Sequence, residues 1–238
     1  MVFSQIRTQT VLHVATLIAM AFALWMMFVW VPTDINQGVV QRILYIHVPV
    51  AWVSMVAIIG VAAASVLYLV TKNETWDGLA VSMAEVGVMF GGVMLISGMV
   101  WAKPVWEVWW TGEAKLTTAL ILFFIYVAYL MFRAYFPVGD QRMRLSAIIA
   151  IIGAIDTPII YYASVLWQEA HPPLVVGPVA EEENLVAAEI GLTLLVSVIA
   201  FTLLFFSLLT ARLGLARMES EFEVLKFRAV ASTAGSGR

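Results

Sequence analysis

Long intervals of this 238-residue chain carry no charge, and that feature limits what it can fold into. Residues 8–33, 43–71 and 116–132 contain no Asp, Glu, Lys or Arg. Residues 78–102, 145–168 and 184–211 contain one acid each: Glu85, Asp156 and Glu189. A helix needs about 20 apolar residues to cross the hydrocarbon of a bilayer, and each interval approaches or exceeds that. Backbone N–H and C=O groups find no water in lipid, so crossing segments must satisfy them internally, as helices do. The strands of a barrel would be half as long and would alternate polar with apolar side chains, which these runs do not. The chain is 62% hydrophobic and only 12% charged. A soluble domain carries about a quarter charged residues, so one soluble core could not hide this much apolar surface. The expected fold is an all-α integral membrane protein. Six transmembrane helices are predicted at about 9–31, 43–70, 80–100, 116–136, 145–166 and 185–211. They form one domain over 1–211, followed by an amphipathic tail, 212–238, whose final residues read as disordered.

The basic residues orient the bundle, because cytoplasmic loops carry an excess of Lys and Arg. With the N-terminus inside, ten of the thirteen fall on inner segments, and only Arg42, Lys103 and Lys115 fall outside. Both termini are therefore expected in the cytoplasm. The first run is too long for a signal-peptide core and has no small-residue cleavage site before Pro32, so it reads as a retained helix. The chain has no cysteine. Disulfide exchange, thiolate metal sites and covalent haem attachment through a Cys-x-x-Cys-His motif are thereby excluded for it.

The outer side collects three loops, at 32–42, 101–115 and 167–184. The middle one holds four of the nine tryptophans within ten residues: Trp101, Trp106, Trp109 and Trp110. Tryptophan anchors helices at membrane interfaces, and Trp25, Trp30, Trp52, Trp76 and Trp167 need no other explanation. The density at 101–110 favours a short interfacial helix on the outer face, with Trp106, Trp109 and Trp110 along one side. Two of the three histidines share that side of the membrane. His47 precedes Pro49 at the outer end of the second helix, and His171 precedes Pro172 and Pro173 in the third loop. Each alone reads as a satisfied or solvated histidine. Together, two neutral imidazoles can take both axial positions of a haem iron, with indoles against the porphyrin. Zinc would want three or four close ligands and would need Glu113 or Glu169. His13 lies at the inner end of the first helix and reads as a packed histidine. Glu85, Asp156 and Glu189 are expected to be neutral or water-facing, with Asp156 satisfied by Thr157 and by a carbonyl freed by Pro158.

The stretch Trp101-Ala-Lys-Pro-Val-Trp106-Glu-Val-Trp109-Trp110-Thr-Gly-Glu-Ala-Lys115-Leu-Thr117 resembles the tryptophan-rich signature of the haem-handling proteins of cytochrome c maturation, most of all the haem exporter protein C (CcmC) type. Two further stretches agree. One is Gln41-Arg-Ile-Leu-Tyr45-Ile-His47-Val-Pro49-Val-Ala-Trp-Val-Ser, and the other is Pro158-Ile-Ile-Tyr-Tyr, followed by Ser164 and His171. The resemblance covers all six predicted helices. It departs at Ala102 and Gly112, where the signature has Gly and Trp, and at Glu113 and Lys115, where it has Asp and Arg. Lys cannot make the bidentate pairing of Arg.

The resemblance implies that His47 and His171 are axial ligands of haem b, and that the macrocycle lies against Trp101, Trp106, Trp109 and Trp110, with Glu113 and Lys115 in the same site. It implies a protein of the bacterial inner membrane that is not an enzyme. Such a protein holds haem at the periplasmic face and passes it to a membrane-anchored haem chaperone (cytochrome c maturation protein E type), which carries it to apocytochrome c. The expected partners are the A- and B-type subunits of an ATP-driven haem exporter, a small D-type membrane subunit and the lipid bilayer, and no nucleic acid. The haem propionates have Lys103, Lys115 and Arg42 as candidate cations. Two alternatives stay open: a subunit of a haem lyase acting directly on apocytochrome, and an electron-carrying b-type membrane cytochrome.

Overall fold

The computed structural model describes residues 2–166 and 188–235. Those residues form helices and connecting turns, with no strand among them. Helix α1 spans Val2–Trp25 and ends in a wider turn, Met26–Trp30, closed by the Val31 N–H donating to the Met26 carbonyl at 2.9 Å. A short 3-10 turn, Val39–Ile43, leads into α2, Leu44–Thr71, and α3 runs from Glu74 to Trp106. Then follow α4, Ala114–Tyr135; α5, Asp140–Ala154; α6, Asp156–Leu166; and α7, Ala188–Gly235. Six helical stretches are long and apolar enough to cross a membrane, with α5 and α6 sharing one of them. Their number and positions match the uncharged intervals.

The helix ends follow the local sequence. Asn73 caps α3, its side-chain oxygen accepting from the Thr75 N–H at 3.0 Å. Pro158 cannot donate to the carbonyl four residues back, at Ala154, and the helix breaks there, at Ile155 between α5 and α6. The expected satisfaction of Asp156 is absent: Asp156 Oδ2 and Thr157 Oγ1 are buried without a hydrogen-bond partner among the described residues. Helix α7 runs on without a break past the predicted end of the last span at 211, through the amphipathic tail to Gly235.

Helices α2 and α3 form the spine, packed against each other along most of their length and flanked by α7 and α1 on one side and α4 and α5 on the other. Two clusters of buried side chains share that spine. Tyr45, Val53, Phe90 and Phe205 belong to the first; Val61, Leu122, Tyr126 and Tyr129 belong to the second. Lipid tails are as apolar as these side chains, so association in the bilayer depends on close packing more than on escape from water. The small residues Ala57, Ala64, Ala80, Ala84 and Ala150, all fully or almost fully buried, permit it.

The two ends of the bundle differ chemically. One end is held by ionic contacts. Arg133 on α4 grips Asp77 on α3 through two parallel bonds of 2.6 Å, and the Arg142 guanidinium donates to the Arg133 carbonyl at 3.1 Å. Tyr68 donates to Asp140 at 2.9 Å. Glu85, expected to be neutral or water-facing, is ion-paired with Arg212 of α7 instead, one of its contacts measuring 3.1 Å. The other end carries His47, Trp101, Trp106, Trp109 and Trp110.

Candidate haem site at the aromatic end of the bundle

The site is built where α2 begins and α3 ends. At about 1.5 Å per residue the 33 residues of α3 extend roughly 50 Å, well beyond a hydrocarbon core of about 30 Å. A helix of that length can reach past the hydrocarbon, and its last turns carry Trp101 and Trp106. Helix α3 terminates at Glu107, which adopts a left-handed conformation with φ +62°. The Lys103 ammonium donates to the Glu107 carbonyl at 2.7 Å. The stretch that follows, as far as Glu113, is irregular.

This corrects the expected interfacial helix. Trp106, Trp109 and Trp110 do not share a face of one helix, because the chain leaves helical geometry at Glu107, and Gly112 turns it again with φ +75°. The four indoles instead divide into two groups. Trp101 is buried and packs edge-on against the half-buried Trp106, with ring centroids 5.2 Å apart and planes at 73°. Trp110 is also half-buried, while Trp109 is 57% exposed and so open to a ligand or to lipid.

Trp101 fixes the loop between α1 and α2. Its indole N–H donates to the Gln37 side-chain oxygen at 3.1 Å, and that loop is itself turned by Asp34, whose carboxylate accepts from the Asn36 and Gln37 N–H groups at 2.8 and 2.7 Å. Arg42, at the end of the loop, donates to the Phe28 carbonyl at 3.2 Å, in the widened turn of α1. Its Nε is buried without a hydrogen-bond partner among the described residues.

His47 lies in the first turn of α2, half-buried, against α3. Its Nδ1 is 3.0 Å from Ser97 Oγ. The ring is so close to α3 that a β-carbon on Gly98 would come within 3.0 Å of His47 Cε1. Trp101 is one helical turn further along α3, so Ser97, Gly98 and Trp101 join the imidazole to the indole pair through one helix face. Neither Ser97 nor Gly98 was singled out from the sequence. The available signal was a polar and a glycine residue in an apolar run, four and three positions before Trp101.

Glu113 and Lys115 stand at the start of α4, Glu113 as its N-cap residue, and both are engaged by neighbouring groups. The structure thus brings His47 onto the helix that carries Trp101 and Trp106. His171, the other expected ligand, lies outside the described residues, as do Trp167 and Glu169. His13 is remote from the site and hydrogen-bonds to Ser207 on α7. Among the described residues no three His, Asp or Glu side chains gather into a metal site of the zinc type.

The described half of the site suits a haem. It offers an imidazole held at a helix edge and aromatic side chains both buried and exposed.

Comparison with known proteins agrees with this chemistry. A family model described as heme exporter protein C matches residues 2–228. Heme exporter protein C of Bradyrhizobium diazoefficiens is 33% identical over 201 residues, covering 83% of this chain and 74% of that protein. Heme exporter protein C of Escherichia coli is 34% identical over 146 residues, 60% of this chain and 59% of the other. A cytochrome c biosynthesis ccmC-like mitochondrial protein of Marchantia polymorpha is 38% identical over 146 residues, 61% of each chain. The matched part thus spans about three-fifths of the length of the last two relatives. Because the family model matches nearly the whole sequence, the chain belongs to the heme exporter protein C family.

Proposed function

We propose that this protein binds haem at the outer, periplasmic face of the bacterial inner membrane and hands it to a membrane-anchored haem chaperone during c-type cytochrome biogenesis. The observation that carries the reading is the junction of α2 and α3. There an imidazole, His47, is braced against the same helix face that bears Trp101, and Trp101 is stacked edge-on with Trp106. The names of the relatives, heme exporter and cytochrome c biosynthesis protein, support the same reading.

Bound haem would supply an iron with two axial positions. His47 takes one and His171 the other. Trp106, Trp109 and Trp110 cover the macrocycle with apolar, quadrupolar faces, and buried Trp101 supports Trp106 from behind. The haem carboxylates would meet cations from among Arg42, Lys103 and Lys115. Glu113 begins the helix that carries Lys115 and helps to orient it. The protein makes and breaks coordination and catalyses no reaction of its own. The A- and B-type transporter subunits and the small D-type membrane subunit are the partners of this task.

An absorption spectrum of the purified protein tests the reading. The wild type is expected to show a Soret band typical of bis-imidazole haem. His47→Ala and His171→Ala should each shift and weaken it, and the double variant should abolish it. A Soret band unchanged in the double variant would overturn the reading.

A further inference from the structure

Ser97 sits between two partners that demand different things of its single proton. Its Oγ is 3.0 Å from the Met94 carbonyl oxygen, one turn back on α3, and 3.0 Å from His47 Nδ1. A carbonyl oxygen only accepts, so the Ser97 hydroxyl must donate to Met94 for that contact to be attractive. Turning the hydroxyl toward His47 would leave two lone-pair-bearing oxygens facing each other at 3.0 Å. With its one proton committed, Ser97 Oγ can only accept from the imidazole. His47 Nδ1 therefore carries the ring proton, and Nε2 keeps its lone pair.

We infer that Ser97 is a positioning residue that locks His47 in the Nδ1–H tautomer and leaves Nε2 as the nitrogen presented to the haem iron. A histidine that ligates a metal through one nitrogen commonly donates from the other, which fixes its tautomer and ring orientation and raises its basicity as a ligand. Here the acceptor is a serine already anchored to its own helix, so the lock is set before any ligand arrives. Gly98 completes it. With no side chain on Gly98, the imidazole edge lies flat on α3, and a β-carbon there would press on Cε1 at 3.0 Å. The serine and the glycine together hold the ring against α3. The inference rests on the proposed haem function only in the identity of that ligand. The tautomer itself is a property of the haem-free protein.

The test therefore begins without haem. Protein labelled with 15N-histidine, in lipid nanodiscs, is examined by NMR, with the His47 signals assigned from their loss in His47→Ala. The wild type is expected to show a protonated Nδ1 and an unprotonated Nε2. Ser97→Ala should move the population toward Nε2–H, and Ser97→Thr, which keeps the hydroxyl, should preserve the wild-type pattern. Haem titration followed by the Soret band is then expected to show affinity falling about 10-fold or more in Ser97→Ala, with Ser97→Thr staying close to wild type. An Nε2–H tautomer in the wild type would overturn the inference. So would a Ser97→Ala protein whose tautomer and haem affinity both match wild type. If His47→Ala binds haem as well as wild type, the haem reading at His47 fails instead, and the NMR result still decides the tautomer on its own.

Discussion

Gly112 shows how one residue can alter a motif that the rest of the stretch follows. The family signature has a tryptophan there, and this chain turns at that point with φ +75°. A residue with a β-carbon meets a steric penalty of about 1–2 kcal/mol in the left-handed region. Nothing lies within 4 Å of where that β-carbon would be, so the obstacle is the backbone and not crowding. Restoring the family residue should therefore harm this protein: Gly112→Trp is expected to lower the thermal unfolding midpoint by a few degrees, whereas Gly112→Asn, which tolerates this conformation, should change it less. Intrinsic fluorescence against temperature in detergent measures both. The residue scale is also where the sequence was least legible. Ser97 and Gly98 are unremarkable letters in an apolar run, and their importance comes from His47, fifty residues away in sequence, being laid against them.

Among the elements, α3 carries both ends of the architecture. Its C-terminal end bears Trp101 and Trp106, and its N-terminal end bears Asp77, gripped by Arg133 from α4 with about a tenth of each side chain exposed. The guanidinium also lies over the Tyr129 ring, 5.7 Å from its centroid. Removing one partner of a buried ion pair strands the other charge and costs about 3–5 kcal/mol. Asp77→Ala should be destabilising on that scale, and Asp77→Asn combined with Arg133→Gln should recover a large part of the loss, because a neutral hydrogen-bonded pair strands no charge. Unfolding in mixed micelles, read by far-UV circular dichroism, would show the difference. A double variant no more stable than the single one would contradict this account. The charge count placed Arg133 on the inner side. It gave no partner for it, because Asp77 is 56 positions away and reads alone as an ordinary charge near a helix end.

For the whole molecule, the distribution of basic residues predicts which end faces the cytoplasm, and the fold keeps the two ends distinct. Arg133, Arg142, Arg144 and Arg212 cluster with their acids at one end, while His47, Trp101, Trp106, Trp109 and Trp110 occupy the other. The absence of cysteine makes the orientation directly testable. Val108 and Val138 lie at opposite ends and are both exposed. In intact spheroplasts, a membrane-impermeant maleimide should label Val108→Cys, and should label Val138→Cys only after the membrane is opened. The opposite pattern would put the tryptophan end in the cytoplasm and would sink the proposed delivery to a periplasmic chaperone.

The number of spans and their approximate limits, the helical class and the asymmetry of charge were all present in the sequence by itself. They follow from local quantities: the length of an uncharged run, the demand of backbone groups in lipid, and the placement of prolines such as Pro158. The tryptophan stretch and His47 were also legible as a candidate site, because composition and motif are local too. Tertiary structure alone decided that the indoles divide between a helix end and an irregular turn. It alone decided that Glu85 is paired with Arg212, and that His47 rests on Ser97 and Gly98. Each of those outcomes depends on which helix faces meet. In a bilayer every face is apolar, so the hydrophobic pattern that orients helices in water carries little of that information. The pairing of α2 with α3, set by small residues and a few polar contacts, is what turns one histidine and a group of tryptophans into a single site.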